Sequence, residues 1–208
     1  PIRATRPLHA GDAPVPYERP PFAPDPNKDP DLLLAAARYA ATQGHSRAAQ
    51  DTCAAASHAR ALASQAHLAK EIVPIEGVTQ DAFPRTLTER QLARFPAIAH
   101  TDAAVDDATR SDHAVSTVAI SPKADGAALV LLMSETACAR YRICPRAQWL
   151  GHQSLGGAPA MPLVLAWEAA QALLEARGLG FADLAAIELH DAFAVQTLQW
   201  QADRKSVG

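Results

Sequence analysis

His190 and Asp191 are the residues of this chain best placed for chemistry. They close the apolar run of "AAIELHDAFAVQTLQW", Ala185 to Trp200, where small apolar residues give way at once to a helical pattern. In α/β folds the carboxyl end of a strand, just before the next helix, is a common seat for ligands and catalytic groups. From its position alone His190 is open to two readings, a group placed for chemistry or a polar strand-end residue satisfied by backbone. Ser154, in "GHQSLGG", reads equally as a turn-forming hydroxyl beside two glycines or as a ligand contact. Arg85 stands just before a helical segment, a place where an arginine is usually solvated. Cys53, Cys138 and Cys144 are an odd set without CxxC spacing, so neither a zinc site nor a disulfide framework is expected. The remaining histidines show no HExxH or related spacing, and no residue is assigned to a metal.

These groups need elements to hold them. Nine of the sixteen prolines fall in the first thirty residues, and "PVPYERPPFAPDPNKDP" can be neither helix nor central strand, because proline fixes φ and lacks a donor. An extended arm is expected over 1–30. Asp31 is a good N-cap for "LLLAAARYAATQ", which stops at Gly44, and Ser46 can cap a longer helix through "RAAQDTCAAASHARALASQA". Together they suggest a helical hairpin. Thr86-x-x-Glu89 offers a capping box for a third helix, "ERQLARF", ended near Pro96. Positions 99–115 are polar and aperiodic and read as loop. Asp125 and Gly126 read as a turn before a strand.

The second half has a different texture. "DGAALVLLMS" is a continuous apolar run suited to a strand buried on both faces, with "ETACARYR" as the following helix. "RAQWLGHQSLGG" gives a further strand and a glycine-rich turn. Leu163, Trp167, Ala170 and Leu174 then recur on one helix face, with Gly178 as the stop. "AAIELH" is the next strand, and Phe193, Thr197 and Trp200 line one face of the last helix. Alternating strand and helix means an α/β layered domain, here fed by an all-helical one.

Composition narrows the partners. The 208 residues suffice for one large domain or two small ones with a real core. A net charge of -3, without a run of lysines or arginines, gives no reason to expect nucleic acid or an anionic membrane. No apolar run approaches the roughly 18 residues of a membrane span, and the cysteine usage favours a reducing cytosol, hence a cytoplasmic protein.

Five words, in order over roughly residues 46–208, resemble the thiolase family. "SRAAQDTCAAASHARALASQAHLAKEIVPIEG" resembles its SR-x-x-QD stretch, "PRTLTERQLARFPAI" its arginine followed by T-x-E-x-LA-x-L-x-PAF, and "ADGAALVLLMSE" its DGAAA strand and helix. "PRAQWLGHQSLGGAPAMPLVLAWEAAQALLEARGL" is similar to the family's next strand, glycine turn and helix. "IELHDAFAVQTL" resembles the box written IE-x-NEAFA-x-Q, in its histidine-containing variant.

The resemblance implies a partial thiolase-like layered α/β fold: a helical loop domain at 31–115, then the first part of the C-terminal α/β domain at 116–208. It implies acyl transfer between acyl-CoA thioesters, by 3-oxoacyl-CoA thiolysis or acyl-CoA condensation. Coenzyme A enters as substrate, and no other cofactor is expected. Within that chemistry His190 would donate to an oxyanion hole, Ser154 would contact the pantetheine, Arg85 would lie near the nucleotide of CoA, and Phe193 would pack beneath the acyl site. The family's nucleophilic cysteine, its GHP histidine and its second cysteine fall outside these positions, and none of the three cysteines present replaces them. The family's GTVTAGN run is shortened to "STVAISPKADG", and its MGIGP turn reads "PLVLA". The chain alone is therefore not expected to run a full cycle. A homo-oligomer or a thiolase partner subunit is expected, because a half-core would expose apolar strand edges. A catalytically inactive CoA-binding or scaffolding subunit is the alternative reading. An unrelated α/β binding module, without affinity for CoA, is a third.

Overall fold

A computed structural model describes residues 21–101, 112–124 and 126–206, with the short stretches 5–6, 13 and 15–16. Within the proline-rich arm, β1 (Thr5–Arg6) pairs antiparallel with β2 (Val15–Pro16). Much of 1–20 lies outside the described residues. Past it, Asp29 Oδ1 accepts from the amides of Phe22 at 2.6 Å and Ala23 at 3.2 Å, and a short 3-10 turn, Pro26–Lys28, leads into the helices.

The helix starts follow local chemistry. Asp31 accepts from the amides of Leu33 and Leu34 and opens α1 (Leu32–Gln43), which Gly44 ends in the left-handed conformation at φ 71°. Ser46 accepts from Ala49 N and opens the 22-residue α2 (Arg47–Leu68). The third helix is shorter than the pattern suggests and starts later. α3 (Glu89–Leu92) is capped by Thr88, whose capping box closes on Gln91 rather than running from Thr86 to Glu89. Both spacings satisfy the same rule, and the side chain of Gln91 reaches back to Thr88 N at 2.8 Å.

β3 (Ala97–Ala99) and β4 (Val115–Ser116) form an antiparallel pair, Ala97 opposite Ser116 and Ala99 opposite Val115, with a register slip between them. Of the stretch 99–115 expected as loop, 102–111 lies outside the described residues, and its two ends are this ladder. Asp125 also lies outside. α4 (Glu135–Tyr141) is capped by Ser134. A 3-10 turn, Pro162–Val164, runs into α5 (Leu165–Ala176), after which Gly178 takes φ 65°. α6 (Ala194–Ser206) closes the described chain.

The three strands expected in the second half form no ladder. Leu129 to Leu132 are 76–102% exposed, Trp149 is 72% exposed, and residues 185–190 pair with nothing in a sheet. A continuous apolar run reports a chain segment suited to burial in a sheet. The neighbouring strands it requires are a non-local matter that the run itself does not contain.

The core gathers around α6. α1 contributes Ala36, Ala37, Tyr39 and Ala40, and Ala99, Val115, Ala119 and Leu163 meet Phe193, Ala194 and Val195 there. Full burial of Phe193 and Val195 contributes about 1.5–3 kcal/mol each relative to exposure. α1 packs on β3, α6 and the 162–164 turn, while α2 packs on α6, β4 and the 3-10 turn Thr117–Ala119. The expected helical hairpin is thus built differently: each helix packs on α6 more than on the other. A ring cluster then ties α5 to α6. Trp167 stacks on Phe181 at 4.5 Å and 5°, and Trp200 meets Trp167 edge-on at 5.1 Å. Burial, with the Asp203 and Glu168 carboxylates adding, pushes the Tyr39 hydroxyl up to about 12.

Candidate functional site

His190 lies exposed just ahead of α6, in a segment without strand pairing. The turn after it is well anchored. Asp191 accepts a hydrogen bond from Thr197 Oγ1, Ser121 N donates to Ala192 O at 2.9 Å, and Phe193 bridges to Ile120. Phe193 N also donates to Gln196 Oε1 at 3.3 Å. Phe193 itself is 4% exposed and belongs to the core cluster, so its ring fixes where α6 starts and thereby where His190 stands.

Cys53, on α2, is half-buried against the same core. Burial pushes its thiol up, the Arg60 guanidinium opposing and the Asp191 carboxylate adding. A thiol held protonated in this way is a poor nucleophile.

Ser154 is exposed in the glycine-rich turn. That turn lies close on α5, since a Cβ on Gly157 would come 2.5 Å from Leu165 Cδ2. From the far end of α5, Arg177 donates to the carbonyl of Leu150.

Arg85 has the most developed surroundings of the expected site residues. It lines a shallow cavity of about 310 Å³, open to solvent, together with Leu87, Gln91, Arg94 and Phe95. Its guanidinium lies 4.8 Å from the centre of the Phe83 ring, and the His58 ring, from α2, is 5.5 Å from that same ring. Cation–π contact of this kind restrains an otherwise mobile side chain. Burial, with Arg85 adding its positive charge, holds His58 below the usual histidine range. Neither His190 nor Ser154 lines this cavity.

Motif spacing gave no chemical reason to single out Arg47, Gln50, Asp51 and Ser116. Gln50 is 0%, Asp51 5% and Ser116 0% exposed. Asp51 Oδ2 faces Arg47 Nε at 3.5 Å, its other oxygen accepts from Ser116 Oγ, and Arg47 Nη2 donates to the carbonyl of Phe95. Gln50 Nε2 reaches Ala114 O at 3.5 Å. The available signal was the i, i+4 placement of Arg47 and Asp51 inside the SR-x-x-QD word, on the first turn of a capped helix.

Among the described residues no group of three or more His, Cys, Asp or Glu is gathered to hold a metal ion. Nor is any described helix long and apolar enough to cross a membrane.

The fold as a whole has a solved counterpart. An acetyl-CoA acetyltransferase from Syntrophomonas wolfei matches with a TM-score of 0.65 and 19% identity, over 83% of this chain and 44% of that one. The architecture is a partial thiolase-like α/β fold. At the level of sequence, the family description "Thiolase, N-terminal domain" matches residues 28–136. A 3-ketoacyl-CoA thiolase of Erwinia tasmaniensis is 34% identical over 178 residues, 79% of this chain and 43% of the relative. One from Vibrio vulnificus is 32% identical over 166 residues, 77% of this chain and 42% of the relative. The chain belongs to the thiolase family. It spans about two fifths of the length of the curated relatives it matches.

Proposed function

We propose that the protein serves acyl transfer between acyl-CoA thioesters, either thiolysis of a 3-oxoacyl-CoA or condensation of two acyl-CoA units. The observation that carries this reading, beside family membership, is the cavity in which Arg85 and Arg94 stand together. Two guanidiniums suit the phosphates of CoA, because each presents a permanently charged fork of donors. Phe83 supports the Arg85 fork from one side.

In this reading Ser154 contacts the pantetheine and His190 donates to the thioester oxygen as it becomes anionic. The hydrogen bond strengthens as charge builds, which lowers the barrier rather than only tightening binding. Phe193 acts beneath the acyl site as a packing residue. The attacking thiolate comes from outside these 208 residues, which agrees with the protonated state of the Cys53 thiol. As substrate, CoA or acyl-CoA is the small-molecule partner, and a second thiolase chain is the proposed protein partner.

The test is titration calorimetry of CoA against the wild type and Arg85→Met. Binding weakened by about tenfold in the variant is expected, the scale of one charged hydrogen bond. Equal affinities would remove the cavity from the reading. In the assembly that supplies the nucleophilic cysteine, His190→Ala should lower kcat by about 10²–10³, the usual cost of losing one oxyanion donor.

A further inference from the structure

We propose that Arg47 is the positioning residue of the Arg85 cavity, holding its Phe95 wall in place from a helix that lines none of it. This inference rests on reading that cavity as the seat of CoA.

Phe95 follows the short α3, and its backbone has little of its own to fix it. Its amide donates to Leu92 O at 3.2 Å, which restrains the chain locally but does not attach it to the body of the protein. Two hydrogen bonds make that attachment, and the one at Phe95 itself is to its carbonyl, which accepts from Arg47 Nη2. One residue on, the Pro96 carbonyl accepts from Thr117 N at 3.2 Å.

The guanidinium is itself aimed. Arg47 Nε faces Asp51 one helical turn along α2, and Asp51 is held by Ser116 Oγ. Arg47 therefore stretches between a buried carboxylate and the cavity wall, with separate nitrogens of its fork engaged at each end. Lysine has a single ammonium and lacks that planar fork, so it serves one end well or both ends poorly. Arg94, which lines the cavity next to Phe95, belongs to the same stretch of backbone.

The consequence is specific. Loss of Arg47 should loosen residues 83–96 and scatter the two cavity guanidiniums, beyond any general loss of stability. CoA affinity is measured by titration calorimetry for the wild type, Arg47→Met, Arg47→Lys and Trp167→Leu, at a temperature where circular dichroism shows each folded. Hydrogen exchange of residues 83–96 is followed in the same samples by mass spectrometry. Trp167→Leu disrupts the ring cluster between α5 and α6 and controls for destabilisation alone.

Arg47→Met is expected to weaken CoA by about tenfold, the worth of a hydrogen bond from a charged donor. Arg47→Lys should fall between it and the wild type, and both should speed exchange across 83–96, while Trp167→Leu changes neither. Should Arg47→Met fail to fold, Arg47→Lys carries the comparison. Affinity and exchange indistinguishable from those of Trp167→Leu would overturn the proposal. Faster exchange at 83–96 in a protein that never binds CoA would remove the CoA reading and leave the positioning intact. Weaker binding on Arg85→Met with no effect at position 47 would do the reverse.

Discussion

Asp51→Asn tests whether the polar lock at the start of α2 holds the fold through charge or only through shape. The substitution keeps the volume and an oxygen able to accept from Ser116 Oγ, but it removes the charge that faces Arg47 at 3.5 Å. Taking one partner from a fully buried ion pair costs about 3–5 kcal/mol. Here the Asp51 side chain is 7% exposed and that of Arg47 28%, so water recovers part of the loss on the arginine side. A cost of about 2 kcal/mol follows once that screening is allowed for. In a domain of this size such a change lowers Tm by roughly 4–8 °C. Urea unfolding followed by tryptophan fluorescence reads it, because Trp167 and Trp200 sit where α5 meets α6. A double-mutant cycle with Arg47→Met should return a coupling of at least about 1 kcal/mol, as for groups in direct contact. If Asp51→Asn stays within about 0.5 kcal/mol of the wild type, or the two changes simply add, the charge is not what holds the lock.

Three further outcomes follow from geometry already described. Phe193→Ala should cost about 3–5 kcal/mol in urea unfolding, since the ring is 4% exposed in the core; a loss under about 1 kcal/mol would mean the site relaxes and the ring does not set the start of α6. His58 titrates below the ordinary range, so its neutral form is favoured in the folded state. The associated stability is present above the unfolded pKa of about 6.5 and is lost as pH falls from there through the lower folded value. Arg85→Gln should raise the His58 midpoint in an NMR titration, and an unmoved midpoint would show that the arginine charge is not felt there. Finally, Leu129 to Leu132 expose a contiguous apolar stretch, so the isolated chain should self-associate in size-exclusion chromatography with light scattering. Leu131→Asp should reduce that association without loss of helical circular dichroism, and a clean wild-type monomer would refute it.

What could be read in advance divides by the range of the physics. Asp31, Ser46 and Gly44 act on backbone within a few residues of themselves, and the ends of α1 and α2 fall where their chemistry puts them. Thr86 and Thr88 show the limit of that approach, because two overlapping capping spacings compete and the side chain of Gln91 decides between them. Strand pairing is a different matter. "DGAALVLLMS" and "AAIELH" have strand composition, yet a ladder depends on neighbours that composition does not specify, and neither has one here. The short β3 and β4 are the converse, too short to show a strand pattern and brought together from the two ends of a polar stretch. At the site, Arg85 and Phe193 could be singled out, but their surroundings could not. The ring of Phe83 beside Arg85 and the core packed around Phe193 exist only in three dimensions. Arg47 and Asp51 stood in a recognisable word whose physical sense, a tether from α2 to the cavity wall, required the fold.

The packing of α1 and α2 on α6 has a consequence for how the chain comes off the ribosome. The surface that both early helices need is made of residues 194–206, and the hydrogen bond between His45 Nε2 and Gln199 Oε1 spans 154 positions. Until that segment is made, α1 and α2 have β3, β4 and the turns at 117–119 and 162–164 to pack on, while the surface that α6 covers stays open. Contacts of such long range form slowly, and exposed apolar intermediates invite wrong associations meanwhile. A pause or truncation before residue 194 would therefore release a nascent chain whose core lacks Ala194 and Val195 and stays open on the side of α6, a form in need of a chaperone.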